Sequence, residues 1–284
     1  MIPAKFDYLR PSTVDDAVAA LAAAGEDAKV LGGGQSLMPV LRLRMGEPSV
    51  LVDTTRIDEL KTITDAGDAI VIGAGVTHDA VEKSPLVREH LALLAAATAT
   101  VADRQIRHRG TFGGAMAHAD PAGDQAGTAL ALDSSFTIAG PGGRRTVSAS
   151  EFFLDYFTTA VGPDELLVSV SFPKYTGWGA HYEKLNRTAQ AWAIVGAAAA
   201  VRMDGGAIAE ARVGLTNMGS GPVRASAVEA ALVGASSMEA VRAAAEQAAE
   251  GTSPNSDIHA DVEYREHLAR VLTARAVAKA AGLA

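Results

Sequence analysis

The chain has 284 residues, with 25 Lys and Arg against 33 Asp and Glu, giving a formal net charge of −8. That acidic balance argues against a protein whose main work is gripping phosphate backbones, and 48% hydrophobic residues supply a real core. The absence of cysteine excludes disulfide scaffolds, Cys nucleophiles, structural zinc fingers and thiolate-held iron–sulfur clusters, so any electrons handled here reside on a bound organic cofactor. No apolar run reaches membrane-spanning length, and MIPAKFDYLRPST lacks the apolar stretch of a secretory signal, which makes a cytoplasmic protein the expectation.

In chain order, PSTVDDAVAALAAAG predicts a helix capped by Ser12 or Thr13 and stopped at Gly25. A short strand, 28–31, runs into GGGQS, followed by the short helical SLMPVLRLR and a strand at 49–53. A second unit opens near Ile57. AIVIGAGVT (69–77) reads as a buried strand with Thr77 capping the segment after it, and Ser84-Pro85 starts a long helix through LVREHLALLAAATATVADRQI. RHRGTFGGAMAHADPAGD reads as a loop, SSFTIAG and RRTVSAS as a hairpin across a glycine-rich turn, and ELLVSVSFP (165–173) as an alternating strand. From Gly177, HYEKLN, WAIVGAAAAVRM and IAEARVGLTN predict three strands, the last two joined at Asp204-Gly205-Gly206, and helices begin from Pro222. Strands followed by helices make the expected class α+β, divided as 1–55, 56–176 and 177–284.

Two glycine-rich segments are candidates for chemistry. GGGQS (32–36) follows a strand, so consecutive backbone N–H groups can hold an anion; a plain glycine turn is the other reading. It is not a G-x-G-x-x-G fingerprint, because Leu37 stands at the last glycine, and no Gly-Lys-Ser/Thr comes after it to make a P-loop. QIRHRGTFGGAMAHADPAGD (105–124) offers a second glycine pair, Gly113-Gly114, behind Thr111. Arg104, Arg107, His108 and Arg109 crowd a helix end, where the macrodipole favours cations or where a partner chain docks. His118, Asp120 and Asp124 fit no zinc spacing, so no metal site is expected. Two anion cradles far apart in sequence favour one long ligand, such as a dinucleotide, clamped between them.

These residues resemble the FAD-binding medium subunits of the molybdenum hydroxylases, closest to the aerobic carbon monoxide dehydrogenase branch. The resemblance rests on GGGQS at 32–36, IRHRGTFGGA at 106–115, DPAGD at 120–124, YEKLNR at 182–187 with Trp192-Ala193, and YREHLARVLTARAV near the carboxy terminus. His108 and Ala115 stand where the family usually has Asn, and Ala191 replaces an acidic residue. The resemblance implies a vanillyl-alcohol-oxidase (PCMH-type) FAD-binding fold of two α+β subdomains plus a C-terminal α+β domain. By position, it implies a cofactor-binding set of Val30, Leu31, Gly32, Gly33, Gly34, Gln35, Ser36, Leu37, Ala102, Ile106, Gly110, Thr111, Gly113, Gly114 and His118, with Asp124 as a hydrogen-bonding acid and Leu167 packed near the flavin ring. Lys184 and Trp192 would reach the ring, the lysine favouring its reduced, negatively charged state and the indole covering one face; on residue type alone they read as a solvated strand end and a core aromatic.

The function so implied is electron transfer without substrate chemistry in this chain. Electrons would pass from a large molybdenum-cofactor subunit, through a small iron–sulfur subunit, to FAD and then to a quinone or other acceptor, within a dimer of heterotrimers. Such a complex could lie at the inner face of the cytoplasmic membrane. The alternatives are the medium subunit of a related aldehyde, xanthine or N-heterocycle dehydrogenase, a free-standing flavin oxidoreductase of the same fold, and a non-catalytic scaffold.

Overall fold

The computed structural model describes residues 2–284. Near the amino terminus β1 (Asp7–Leu9), β2 (Ala28–Leu31) and β3 (Val50–Asp53) form a parallel sheet in the order β1-β3-β2. The helix Val14–Ala24 packs on it through Val14, Ala17, Val18 and Leu21. Thr13 is the cap that forms, accepting the Asp16 N–H at 3.1 Å, and Gly25 ends the helix at φ 70°. The GGGQS loop leaves the carboxyl end of β2 and enters the helix Leu37–Leu43.

The middle of the chain builds an antiparallel sheet from β4 (Ile63–Asp65), β5 (Ala69–Gly73), β6 (Ser135–Gly140) and β7 (Gly143–Ser148). After a small hairpin, β8 (Phe153–Asp155) and β9 (Thr158–Thr159), the strand β10 (Leu166–Pro173) returns to the centre, giving the order β4-β5-β10-β6-β7. Phe112, Phe136, Phe152 and Phe172 are fully buried under this sheet, Phe136 stacked on Phe152 at 3.8 Å between centroids.

The long helix expected from 85 onward is broken. Pro85–His90, Ala92–Ala99 and Arg104–Arg107 are separate helices, interrupted at Leu91 (φ −134°) and at Ala102, whose φ of 43° is left-handed. Hydrophobicity hides both breaks, because LALLAAATAT is apolar throughout. The second break is held by Arg107, which donates to the Val101 carbonyl at 2.8 Å, and by Asp103, which caps the next turn. The segment 105–124 is likewise not all loop. Thr111 accepts the Gly114 N–H, and Phe112 and Met116, four residues apart, are buried, so a helix over Phe112–His118 forms despite two glycines.

The last sheet is β11 (Gly179–Leu185), β12 (Val195–Asp204), β13 (Ala207–Thr216) and the unexpected short β14 (Val223–Arg224), antiparallel in that order. Gly205 and Gly206, both at positive φ, turn β12 into β13. The alanine run of β12 is a strand buried on both faces. Ala198 and Ala200 face the core of the middle sheet, whereas Ala197 and Ala199 face the helix Val262–Ala281. Small residues are required here: a Cβ at Gly179 would lie 1.9 Å from the Ala280 carbonyl oxygen, and one at Gly214 would lie 2.1 Å from the Gly127 carbonyl oxygen. Thus both helices press directly on the sheet. Among the described residues no helix is long and apolar enough to cross a membrane.

Candidate functional site

The two glycine-rich loops meet at the carboxyl ends of β2 and β3. Gly32 faces Thr111, and a Cβ at Gly33 would lie 2.1 Å from the Arg109 carbonyl oxygen and 2.6 Å from Gly110 Cα. The loops therefore touch, and no ligand passes between them at this point.

The donors are unequally divided. Among the described residues, no acceptor within the chain takes the backbone N–H of Gly32, Gly33, Gly34, Gln35, Ser36 or Leu37. Six successive free N–H groups at a strand end form a cradle of the kind that binds phosphate oxygens. In the second loop the expected free donors are already used. Phe112 donates to Val76, Gly113 to the Ala74 carbonyl at 2.9 Å and Gly114 to Thr111 Oγ1 at 3.2 Å. Gly113 is small because Ala74 Cβ would lie 2.3 Å from its Cβ, a matter of core packing. Free backbone donors are thus concentrated in the first loop.

Behind the second loop lies His78, buried, its N–H donating to the Gly110 carbonyl and its ring directly beneath Gly110. Burial, together with the nearby Arg107 charge, lowers its pKa to about 4. Since the unfolded imidazole titrates near 6.5, stability is complete above that pH and falls as pH drops toward 4, by about 3 kcal/mol over the window. Urea unfolding at pH 7 and pH 4.5 is expected to show this loss, and His78→Gln is expected to remove most of it. An equal loss in the variant would place the acid sensitivity elsewhere.

A cavity of about 400 Å³ opens beside β11, lined by Ala99, Thr100, Ala102, Tyr182, Lys184 and Asn186 among others. Glu183 also lines it, and Lys184 on its wall is paired with Asp124, Nζ to Oδ2 at 2.8 Å, with side-chain exposures of 6% and 3%. Lys184 is therefore no solvated strand end; it also donates to the Thr100 carbonyl at 3.3 Å. Burial pushes the Asp124 carboxyl up, against the opposing pull of the Lys184 charge and the Tyr182 hydroxyl. Asp124 begins the helix Asp124–Ala131, delivered there by a turn in which Asp120 accepts the Ala122 N–H at 2.9 Å.

Not all expected site residues gather here. Ala102 lines the cavity, and its left-handed backbone accounts for its place there. Ile106 and His118 are half-buried, the latter packed on Phe157 at 5.1 Å between centroids. Val30 lies in β2 at the foot of the cradle, and Leu167 is buried in the core at a bulge of β10. Trp192 is 56% exposed on a loop after β11, so it is no core aromatic. Of the arginine cluster, Arg107 is absorbed by Glu82 at 2.9 Å and by the Val101 carbonyl; Arg104 and Arg109 are exposed. Sequence reasoning missed Tyr182 and Asn217. Asn217, at φ 63°, joins the DPAGD turn to the Trp192 segment by donating its N–H to Pro121 and its side-chain amide to Ala193, each at 2.8 Å.

Residues 4–175 match the model of the FAD binding domain in molybdopterin dehydrogenase, and residues 180–280 that of the CO dehydrogenase flavoprotein C-terminal domain. The chain belongs to this flavoprotein family. The flavoprotein is 39% identical to the carbon monoxide dehydrogenase medium chain of Hydrogenophaga pseudoflava, covering 98% of this chain and 97% of the relative. Its fold superposes on the solved carbon monoxide dehydrogenase of that organism with a TM-score of 0.95 at 41% identity, covering 99% and 98% of the two chains. It superposes equally well, TM-score 0.95 at 34% identity and 99% coverage of each chain, on quinoline 2-oxidoreductase from Pseudomonas putida 86. The flavoprotein binds FAD and is an oxidoreductase subunit. The row of free N–H donors and the cationic cavity wall are what a pyrophosphate joined to a redox-active ring requires, so the residues fit the cofactor.

Proposed function

We propose that this chain is the FAD-carrying electron-transfer subunit of a carbon monoxide dehydrogenase-type molybdenum hydroxylase. The observation that carries the reading is the full-length similarity to a carbon monoxide dehydrogenase medium chain, in a chain that also has a row of free N–H donors at 32–37 and a buried cation, Lys184, at a cavity wall. FAD, when bound, supplies a ring that takes up and releases electrons. The chain's own residues do the rest. The N–H groups of Gly32 to Leu37 bind phosphate oxygens, with Val30 and Leu31 fixing the strand end from which the loop springs. Ala102, Ile106, Gly110, Thr111, Gly113, Gly114 and His118 shape the second side, and Leu167 backs the ring pocket from the core. Lys184 offers positive charge to the ring from a wall where Asp124 keeps it in place, and Trp192, exposed and beside the cavity loop, covers a ring face.

No acid or base is legible that would activate carbon monoxide, and the absence of cysteine leaves the clusters to another chain. The partners are accordingly a large molybdenum-cofactor subunit and a small iron–sulfur subunit, in a dimer of heterotrimers on the cytoplasmic side of the membrane, with a quinone or other acceptor downstream. The divisions at 55/56 and 176/177 separate the two halves of the FAD site from the sheet that supplies Lys184. The likeness to quinoline 2-oxidoreductase supports a second reading, a medium subunit serving an N-heterocycle-oxidising partner, since the substrate is chosen outside this chain. Purification with native partners, heat release of the flavin and chromatography against FAD and FMN test the first step. FAD with two copurifying chains is expected; FMN, or a colourless protein without partners, would overturn it.

A further inference from the structure

We propose that Tyr182 is a positioning residue for Lys184: by occupying one oxygen of Asp124 it fixes the rotation of the carboxylate, so that the other oxygen holds the ammonium at the cavity wall. The inference rests on the flavin reading above only for its consequence, not for its geometry. Tyr182 and Lys184 are two residues apart on β11 and so share a face of the strand. The Tyr182 hydroxyl donates to Asp124 Oδ1 at 2.8 Å, and Lys184 Nζ donates to Oδ2 at 2.8 Å. One carboxylate is thus divided between two donors from one rigid strand, leaving its torsion no freedom. The hydroxyl sits in a pit shaped for it. Thr216 Oγ1 lies 3.4 Å away, and a Cβ at Gly196, opposite Lys184 in the register, would be 2.3 Å from the phenolic oxygen, so any side chain there must displace the hydroxyl. Burial and the Asp124 charge hold the phenol well above its usual value, which keeps it a donor at every working pH.

Without this hydroxyl, Asp124 Oδ1 has no partner and the carboxylate gains rotational freedom, so Lys184 is held less firmly, by Oδ2 and the Thr100 carbonyl alone. In Tyr182→Phe, the FAD-loaded chain is expected to bind reduced relative to oxidised flavin about tenfold less well, read as a fall of about 30 mV in the two-electron potential. In an Asp124→Ala background the same change is expected to add nothing, since alanine leaves no polar atom to link the hydroxyl to Lys184. A purely structural tyrosine would lower the melting temperature equally in both backgrounds without moving the potential. Gly196→Ala, which keeps the phenol and displaces its hydroxyl, is the second variant and is expected to reproduce the shift. The Lys184 ¹⁵Nζ resonance, assigned with Lys184→Met, reads the same coupling in flavin-free full-length chain and is expected to move in Tyr182→Phe. An unmoved resonance, an unmoved potential, or additive effects in the two backgrounds would overturn the proposal. A wild-type chain that takes up no FAD would instead overturn the flavin reading, and the resonance would still decide the role of Tyr182.

Discussion

Gly33→Val is expected to abolish FAD retention and to destabilise the amino-terminal half of the chain. The added Cβ would meet the Arg109 carbonyl oxygen at 2.1 Å and Gly110 Cα at 2.6 Å, both backbone atoms on a loop anchored by His78 and by the helix Arg104–Arg107. Neither side can yield locally, so the two loops must part, and the six free N–H groups lose their common direction. Overpacking of this kind costs about 1–3 kcal/mol, and here the displaced element is the cradle itself. Equilibrium dialysis with FAD is expected to show at least a hundredfold weaker binding, whereas Gly142→Ala, with open space around its Cβ, is expected to bind normally. Gly113→Val is expected to behave differently, because its Cβ meets Ala74 under the middle sheet. It should fail in thermal stability before flavin affinity can be measured. Comparable flavin occupancy in Gly33→Val and wild type would show that the cradle lies elsewhere.

Lys184→Met is expected to lower both the flavin potential and the stability. Methionine keeps the length of the side chain and removes the charge, leaving Asp124 buried with one hydroxyl partner. Breaking a buried pair on one side costs about 3–5 kcal/mol. The carboxyl, already pushed up by burial, then loses the charge that pulled it down. Its folded pKa lies above the unfolded value, so the native state binds the extra proton and the variant is less stable at pH 8 than at pH 5. This slope is opposite to the one His78 produces. On the proposed placement of Lys184 at the ring, the loss of its charge is expected to lower the two-electron potential by about 30–60 mV, corresponding to about 1.4–3 kcal/mol. Spectroelectrochemistry of the FAD-loaded variant reads the shift directly, and a potential equal to that of the wild type would make Lys184 a structural cation only.

Much of this site was legible in the sequence for reasons that can be stated residue by residue. Glycines after a strand suggest an anion cradle because a backbone free of Cβ can turn its N–H groups outward together. The sequence did not disclose which glycines serve the ligand and which serve packing: Gly33 and Gly113 look alike as letters, yet one meets a facing loop and the other the core. The long helix failed because a uniformly apolar stretch carries no period to mark its breaks, and the device that holds the turn, Arg107 on the Val101 carbonyl, acts across six residues in a pattern no propensity scale records. Lys184 read as a solvated strand end on residue type, since its partner Asp124 is 60 residues away in the chain. Tyr182 stood in the YEKLNR motif without a role of its own, because a tyrosine in a strand needs no explanation until its hydroxyl is seen on a buried carboxylate.

This chain is expected to carry electrons without activating the substrate. This is tested most directly by supplying carbon monoxide, under anaerobic conditions, to the FAD-loaded full-length chain alone and to the same chain assembled with its molybdenum and iron–sulfur partners, while following the flavin absorbance. No bleaching is expected of the isolated chain, and bleaching is expected in the assembly. Bleaching of the isolated chain would contradict it.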